Sequence, residues 1–238
     1  MKSKDFFTTS EYAKKLGISR VAVFKKIKSG VINAQKMGRN FVIYKKDVEN
    51  FSNDLFKLAH GWAIFDKKFP DEFYCQNSSV FQDRLIKMEN LMIKNEATKN
   101  IFSLIVSAAG EIGDNSFAHN LGQWPDTPGI FFGCDLNNKQ VILADRGLGV
   151  LKTLKRVRPD LKDYKQALKV AFTEIISGRA PESRGNGLKY VKKIISENNI
   201  DLLFQSGDAK LQMKGKSQEL KITSSADDFH GCLALIHF

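Results

Sequence analysis

The sequence predicts an α/β protein in two parts, a small basic module followed by a larger domain of helices and antiparallel strands. Three observations predict it. Ile101, Leu104, Ile105, Ala108 and Ile112 recur at three- and four-residue steps, the period of an amphipathic helix packed on a core. Residues 202–238 hold apolar segments separated by glycine-containing turns, the pattern of antiparallel strands. Through Asn50 the chain carries twelve basic residues against four acidic ones, about +8 of its net charge of +11. An asymmetry of that size points to a polyanionic partner for the N-terminal part.

Taken in order, Thr8-Thr9-Ser10-Glu11 reads as a capping box opening a short helix through Tyr12, Ala13 and Leu16. Gly17 stops it, and Ile18-Ser19 recaps a second helix with Val21, Val23, Phe24 and Ile27 inward, ended by Gly30. Two short helices joined by a tight glycine-containing turn make a helix-turn-helix unit. Residues Met37–Tyr44 have the turn and β-branched or aromatic character of a small hairpin, and Lys46-Asp47-Val48 begins a closing helix. This order resembles the excisionase/MerR-type winged helix-turn-helix, over residues 1–52. The resemblance implies binding to double-stranded DNA, with Arg20, Lys25, Lys26 and Lys28 facing it from the second helix and Arg39 from the wing. Lysines chiefly anchor phosphates, whereas Arg20 near the helix start is placed to read a base edge.

Residues 53–79 form a connector too aromatic for a disordered linker, with Phe56, Trp62, Phe65, Phe69, Phe73 and Tyr74. It reads as an interdomain strut or as the surface of a homodimer. A helix follows over about Val80 to Lys94, with Phe81, Leu85, Met88, Leu91 and Met92 on its apolar side. No apolar run approaches the roughly 20 residues of a membrane span, and the first residues lead into a polar helix rather than a signal peptide. Cys75, Cys134 and Cys232 are odd in number and far apart, which argues against a disulfide framework or a metal site and for a reducing cytoplasm.

On the helix that begins at Ile101, Glu111 and Asn115 fall one turn apart along one edge of the buried stripe. A carboxylate and a carboxamide there are costly unless something polar meets them. Next, Gln140–Ala144 is an apolar strand ending in Asp145-Arg146-Gly147-Leu148-Gly149. A carboxylate leaving a buried strand can accept a hydrogen bond from an exocyclic amine, and the glycines let backbone approach a flat ligand. Then Arg184-Gly185-Asn186-Gly187-Leu188 feeds a helix whose free N–H groups suit phosphate. No Gly-Lys-Ser/Thr follows, so this is not a P-loop. Strands at Leu202–Ser206, Lys210–Met213, Glu219–Ile222 and Cys232–Phe238 complete the chain, with turns at Gly207-Asp208, Gly215-Lys216 and His230-Gly231.

The four pieces in this order resemble the GHKL ATP-binding fold of histidine kinases, gyrase-type topoisomerases, Hsp90 chaperones and mismatch-repair ATPases. The resemblance covers residues 80–238. It implies an α/β two-layer sandwich, a mixed and mostly antiparallel sheet with helices on one face and ATP between the layers. Carried over by residue, Asn115 would hold Mg²⁺, Asp145 would accept from the adenine amine, Gly147 and Gly149 would shape the base pocket, and Gly185, Gly187 and Leu188 would bring backbone to the phosphates. Residues 151–184 would be the lid, with Arg179 and Arg184 clamping the γ-phosphate. Glu111, one turn before the metal-holding Asn, stands where hydrolytic branches of the family keep their general base, which implies slow ATP hydrolysis. His60, His119, His230 and His237 are followed by Gly, Asn, Gly and Phe, so no acceptor histidine of the autokinase kind is expected. The expected function is an ATP-dependent DNA-binding regulator. The alternative is a protein kinase or partner-regulating module that acts on a separate, co-encoded protein and docks through its N-terminal part.

Overall fold

The structure is a computed structural model that describes residues 5–16, 19–28, 34–38, 40–44, 55–64, 71–175 and 186–238. It divides into two units, Met1–Lys57 and Leu58–Phe238. No helix among the described residues is long and apolar enough to cross a membrane.

In the first unit, strand β1 (Phe6–Thr8) runs into helix α1 (Thr9–Leu16). The capping box is reciprocal: Glu11 N donates to Thr8 Oγ1 at 3.2 Å, and Thr8 N donates back to Glu11 Oε2 at 2.8 Å. Helix α2 (Arg20–Lys28) follows, then β2 (Gln35–Met37) and β3 (Asn40–Tyr44). Gly38 turns that hairpin at φ +61°. The strands pair antiparallel in the order β1-β3-β2, so the hairpin gains a third strand that the sequence did not announce. Tyr12, Ala13, Val23 and Ile43 form the core. Val21, expected inward, is 66% exposed. Two residues span about 200° of helix, so Val21 and Val23 take opposite faces and the core has room for only one.

The second unit contains the end of a helix over 55–64 (α3), a 3-10 turn Asp71–Phe73, β4 (Tyr74–Cys75), α4 (Ser78–Ile93) and α5 (Phe102–Asn120). It continues with β5 (Ile130–Asp135), β6 (Gln140–Asp145), α6 (Gly149–Leu154), α7 (Tyr164–Thr173), α8 (Gly187–Glu197), β7 (Asp201–Met213) and β8 (Lys221–His237). The latter part of the aromatic connector is thus built into this unit, with β4 as an edge strand.

Among the described residues five strands lie in the order β4-β5-β6-β8-β7, each pairing antiparallel. Asp135 turns the β5–β6 hairpin by accepting from Asn137 N at 2.9 Å and Asn138 N at 3.1 Å. That turn sets the register Ile130↔Asp145, which fixes where β6 delivers its terminal carboxylate. Gly207-Asp208 and His230-Gly231, expected as turns between strands, instead lie inside one long hairpin whose register shifts at Ser206/Gly207 and Gly207/Ala209. Gly207 takes φ +56° there, and the Tyr164 ring packs against it. Glycine here marks a bulge, not a strand end.

Alternate residues of the strands, Phe132, Val141, Leu143, Phe204 and Ala234, meet the helices in the main core. Within it α4 contributes Phe81, Leu85, Met88 and Met92, and α5 contributes Ile105, Ala108, Ala109 and Ile112. Truncating Ile112 to Ala would cost about 2–5 kcal/mol. Leu91, expected on the apolar side of α4, is 44% exposed. The other face of the sheet carries Phe131, Ile142 and Leu233, which are equally buried, and Phe73 stacks on Phe131 with centroids 5.2 Å apart. Where helices on one face only were expected, residues on both faces are shielded from water. The physical sign was present in β6, whose Val141–Ala144 run is apolar at every position rather than alternating.

Candidate functional site

Helix α5, the end of β6, the loop into α6 and the start of α8 enclose a cleft. Its walls include Asn115, Ser116 and Asn120 of α5, Asp145, Gly149, Gly187, Leu188, Lys189 and Cys232. Asp145 forms its floor and is fully buried. Its Oδ2 accepts from Ser116 Oγ at 2.7 Å, and its Oδ1 accepts from Gly147 N at 2.8 Å. Burial raises the Asp145 pKa above the ordinary carboxylate value, while the hydrogen bonds from Ser116 and from the Gly147 and Cys232 backbones pull it down. Cys232 lies beside it and is half-buried; desolvation, and then the Asp145 charge, push its thiol pKa well up. The site thus presents an oxygen acceptor with spare lone pairs in a place from which bulk water is excluded.

The glycines of the Asp145 loop are set by close approach. A Cβ at Gly147 would lie 2.1 Å from Asn120 Nδ2, and Gly149 sits at φ +72° with His230 O where a Cβ would go. Asn120 Oδ1 accepts from Leu148 N at 2.8 Å, while its Nδ2 donates to Ser116 O at 2.7 Å. Ser206 Oγ accepts from Val150 N at 2.9 Å and donates to Gly231 O at 3.0 Å, which ties the same loop to the β7–β8 hairpin. Side chains from α5 and β7 therefore hold the loop from two sides.

Across the cleft, Glu111 and Asn115 lie one turn apart on α5 as expected, and both face the start of α8. A Cβ at Gly187 would lie 2.5 Å from Glu111 Oε2 and 3.0 Å from Asn115 Nδ2. The helix begins at Gly187 with no side-chain cap from Asn186, which leaves its first N–H groups to other partners. Among the described residues no cluster of three or more His, Cys, Asp or Glu side chains is placed to hold a metal ion. A divalent cation here would therefore need ligands beyond Asn115, such as phosphate oxygens and water.

The structure brings together Glu111, Asn115, Asp145, Gly147, Gly149, Gly187 and Leu188, although 76 positions of sequence separate Glu111 from Gly187. Arg179, Arg184 and Gly185 lie outside the described residues. Of the residues expected to face DNA, Arg20 and Lys28 are exposed on α2, with the Arg20 guanidinium 5.9 Å from the Phe24 ring centroid. Lys25 and Lys26 lie on the same helix, their side chains outside the described set, as is Arg39 altogether. Four contributors went unnoticed in the sequence: Ser116, Asn120, Ser206 and Lys189. The first two had a signal, because they continue the ladder Ala108-Ile112 at four-residue steps with polar side chains where apolar ones were due. Ser206 and Lys189 had none.

Neither a protein-family model nor a curated protein sequence matches the chain, so a functional assignment rests on the residues and their geometry.

Proposed function

We propose that the chain is a cytoplasmic, ATP-binding and slowly ATP-hydrolysing regulator, in which a GHKL-type nucleotide domain formed by the second unit governs a DNA-binding winged helix-turn-helix formed by the first. The observation that carries the reading is the buried Asp145 acceptor at the floor of a cleft whose opposite wall joins Glu111 and Asn115 to the glycine start of α8. That floor suits the amine of adenine and disfavours guanine, which turns an oxygen acceptor toward the same carboxylate. The wall suits phosphate, through the N–H groups of the first turn of α8, which Asn186 does not cap, and the positive end of the helix dipole.

In this reading Asn115 holds Mg²⁺, which neutralises phosphate charge when bound. The Glu111 carboxylate, on the same edge of α5, orients a water and takes its proton as that oxygen bonds to the γ-phosphorus; the bond to the β,γ-bridging oxygen breaks and ADP leaves. The basic first unit, with Arg20 and Lys28 exposed on α2, supports a salt-dependent contact with double-stranded DNA.

Calorimetric titration with ATP and GTP tests the nucleotide reading. Tighter binding of ATP is expected, and equal affinities would overturn it. A gel shift with duplex DNA over a salt series tests the partner. Transfer of label from ATP to a co-purifying protein, with no DNA shift, would replace this reading with that of a module acting on a separate protein.

A further inference from the structure

One lysine links the two helices that flank residues 176–185. Lys189 lies in the first turn of α8, and its ammonium crosses to α7, donating to the main-chain carbonyl of Glu174 at 2.5 Å. Glu174 is the C-cap of α7, and its carboxylate is held in turn by Arg158 Nη1 at 2.7 Å. A cation at the carboxyl end of a helix meets carbonyls that lack intrahelical donors and the negative end of the dipole. Lys189 thus fastens the end of α7 to the start of α8.

The same residue lines the cleft beside Gly187 and Leu188. It is partly buried, and burial lowers its pKa. Its partner is a neutral carbonyl, so that acceptor brings no opposite charge to this partly desolvated ammonium. A phosphate group at the start of α8 would supply one, giving the ammonium an opposite charge as well as an acceptor, where the carbonyl offers an acceptor alone.

We propose that Lys189 is a phosphate-binding residue, whose ammonium leaves the Glu174 carbonyl for the terminal phosphates of a bound nucleoside triphosphate and so unfastens α7 from α8. The inference rests on the nucleotide reading of the cleft. It goes further in placing a specific cation at the phosphates and in coupling their arrival to the release of the α7 end. No bond is made or broken, and the lysine exchanges one acceptor for another.

The test is NMR titration of the full-length protein with ATP and, separately, with adenosine, for the unsubstituted chain, Lys189→Met and Lys189→Arg. Lys189→Met is expected to weaken ATP binding roughly ten- to a hundredfold while leaving adenosine within about twofold, and Lys189→Arg to recover most of the loss. Unchanged ATP affinity in Lys189→Met would overturn the assignment. Equal losses for ATP and adenosine would reduce Lys189 to a structural fastening, which also overturns it. Failure of the unsubstituted chain to bind either ligand would remove the nucleotide reading itself, and that outcome is read before any variant is made.

Discussion

Replacing Asp145 with Asn changes one oxygen to an amide nitrogen at the floor of the cleft, and its consequences follow from the hydrogen bonds there. Oδ1 accepts from the fixed Gly147 N–H at 2.8 Å, so the carboxamide keeps its oxygen on that side. The amide nitrogen then faces Ser116 Oγ at 2.7 Å, and the hydroxyl rotates to accept from it. The fold survives, but the position offered to a ligand amine loses its charged acceptor. The expected loss is about 1.5–3 kcal/mol in ATP binding, or roughly ten- to 150-fold in Kd. The pH dependence should change as well. Burial raises the Asp145 pKa above the ordinary value of about 3.9. A carboxyl whose folded-state pKa is raised favours the folded protein below its unfolded value, and that contribution is lost as pH rises through the folded one. On the proposed reading the amine of the ligand is held by the ionised form, so ATP affinity should fall as pH drops through the raised value, and Asp145→Asn should abolish that limb. Calorimetry over a pH series reads both effects. Unchanged affinity at neutral pH, with the acid limb intact, would refute the role given to Asp145.

Ser116→Ala removes a hydrogen bond that holds the Asp145 pKa down, so the acid limb of ATP binding should move to higher pH; a limb that stays in place would show that Ser116 does not tune the carboxylate. Glu111→Ala should leave nucleotide binding largely intact while phosphate release stops, and unchanged turnover would remove Glu111 as the base. Gly113→Ala places a Cβ 2.2 Å from Cζ of the buried Phe81, which itself packs edge-on to Phe132 with centroids 5.2 Å apart. Overpacking there should destabilise the protein by about 1–3 kcal/mol, measured by denaturant unfolding, and an unaltered midpoint would contradict the α4–α5 packing. In the first unit, Lys28→Ala should weaken binding to all DNA sequences alike and flatten the salt dependence by about one unit, whereas a sequence-selective loss would make Lys28 a base reader.

Much of the fold was legible because its signals are local. The Thr8/Glu11 box, the period of α5 and the apolar run of β6 each depend on residues within a few positions of one another. The misreadings share a cause too. Val21 and Leu91 are apolar and lie on the right helices, but a helix shows its core only one stripe, and which stripe depends on the partner. Gly207 and Gly231 are turn formers by type, yet a bulge and a close approach to Asp145 use glycine for the same lack of a Cβ. The site divides in the same way.

The sequence by itself determined the chemistry on offer: a carboxylate at a strand end, a Glu and an Asn one turn apart, a glycine start to a helix, and a basic N-terminal fifth. The tertiary structure decided which groups those residues meet. It set Ser116 under Asp145, Asn120 against Gly147, and Glu111 and Asn115 against Gly187, and it carried the Lys189 ammonium to the end of α7. A hydrogen bond between residues 29 positions apart, as for Ser116 and Asp145, requires strands and helices to fix both partners within a few tenths of an ångström. No local pattern encodes that distance, because it is set by the packing of every element between them.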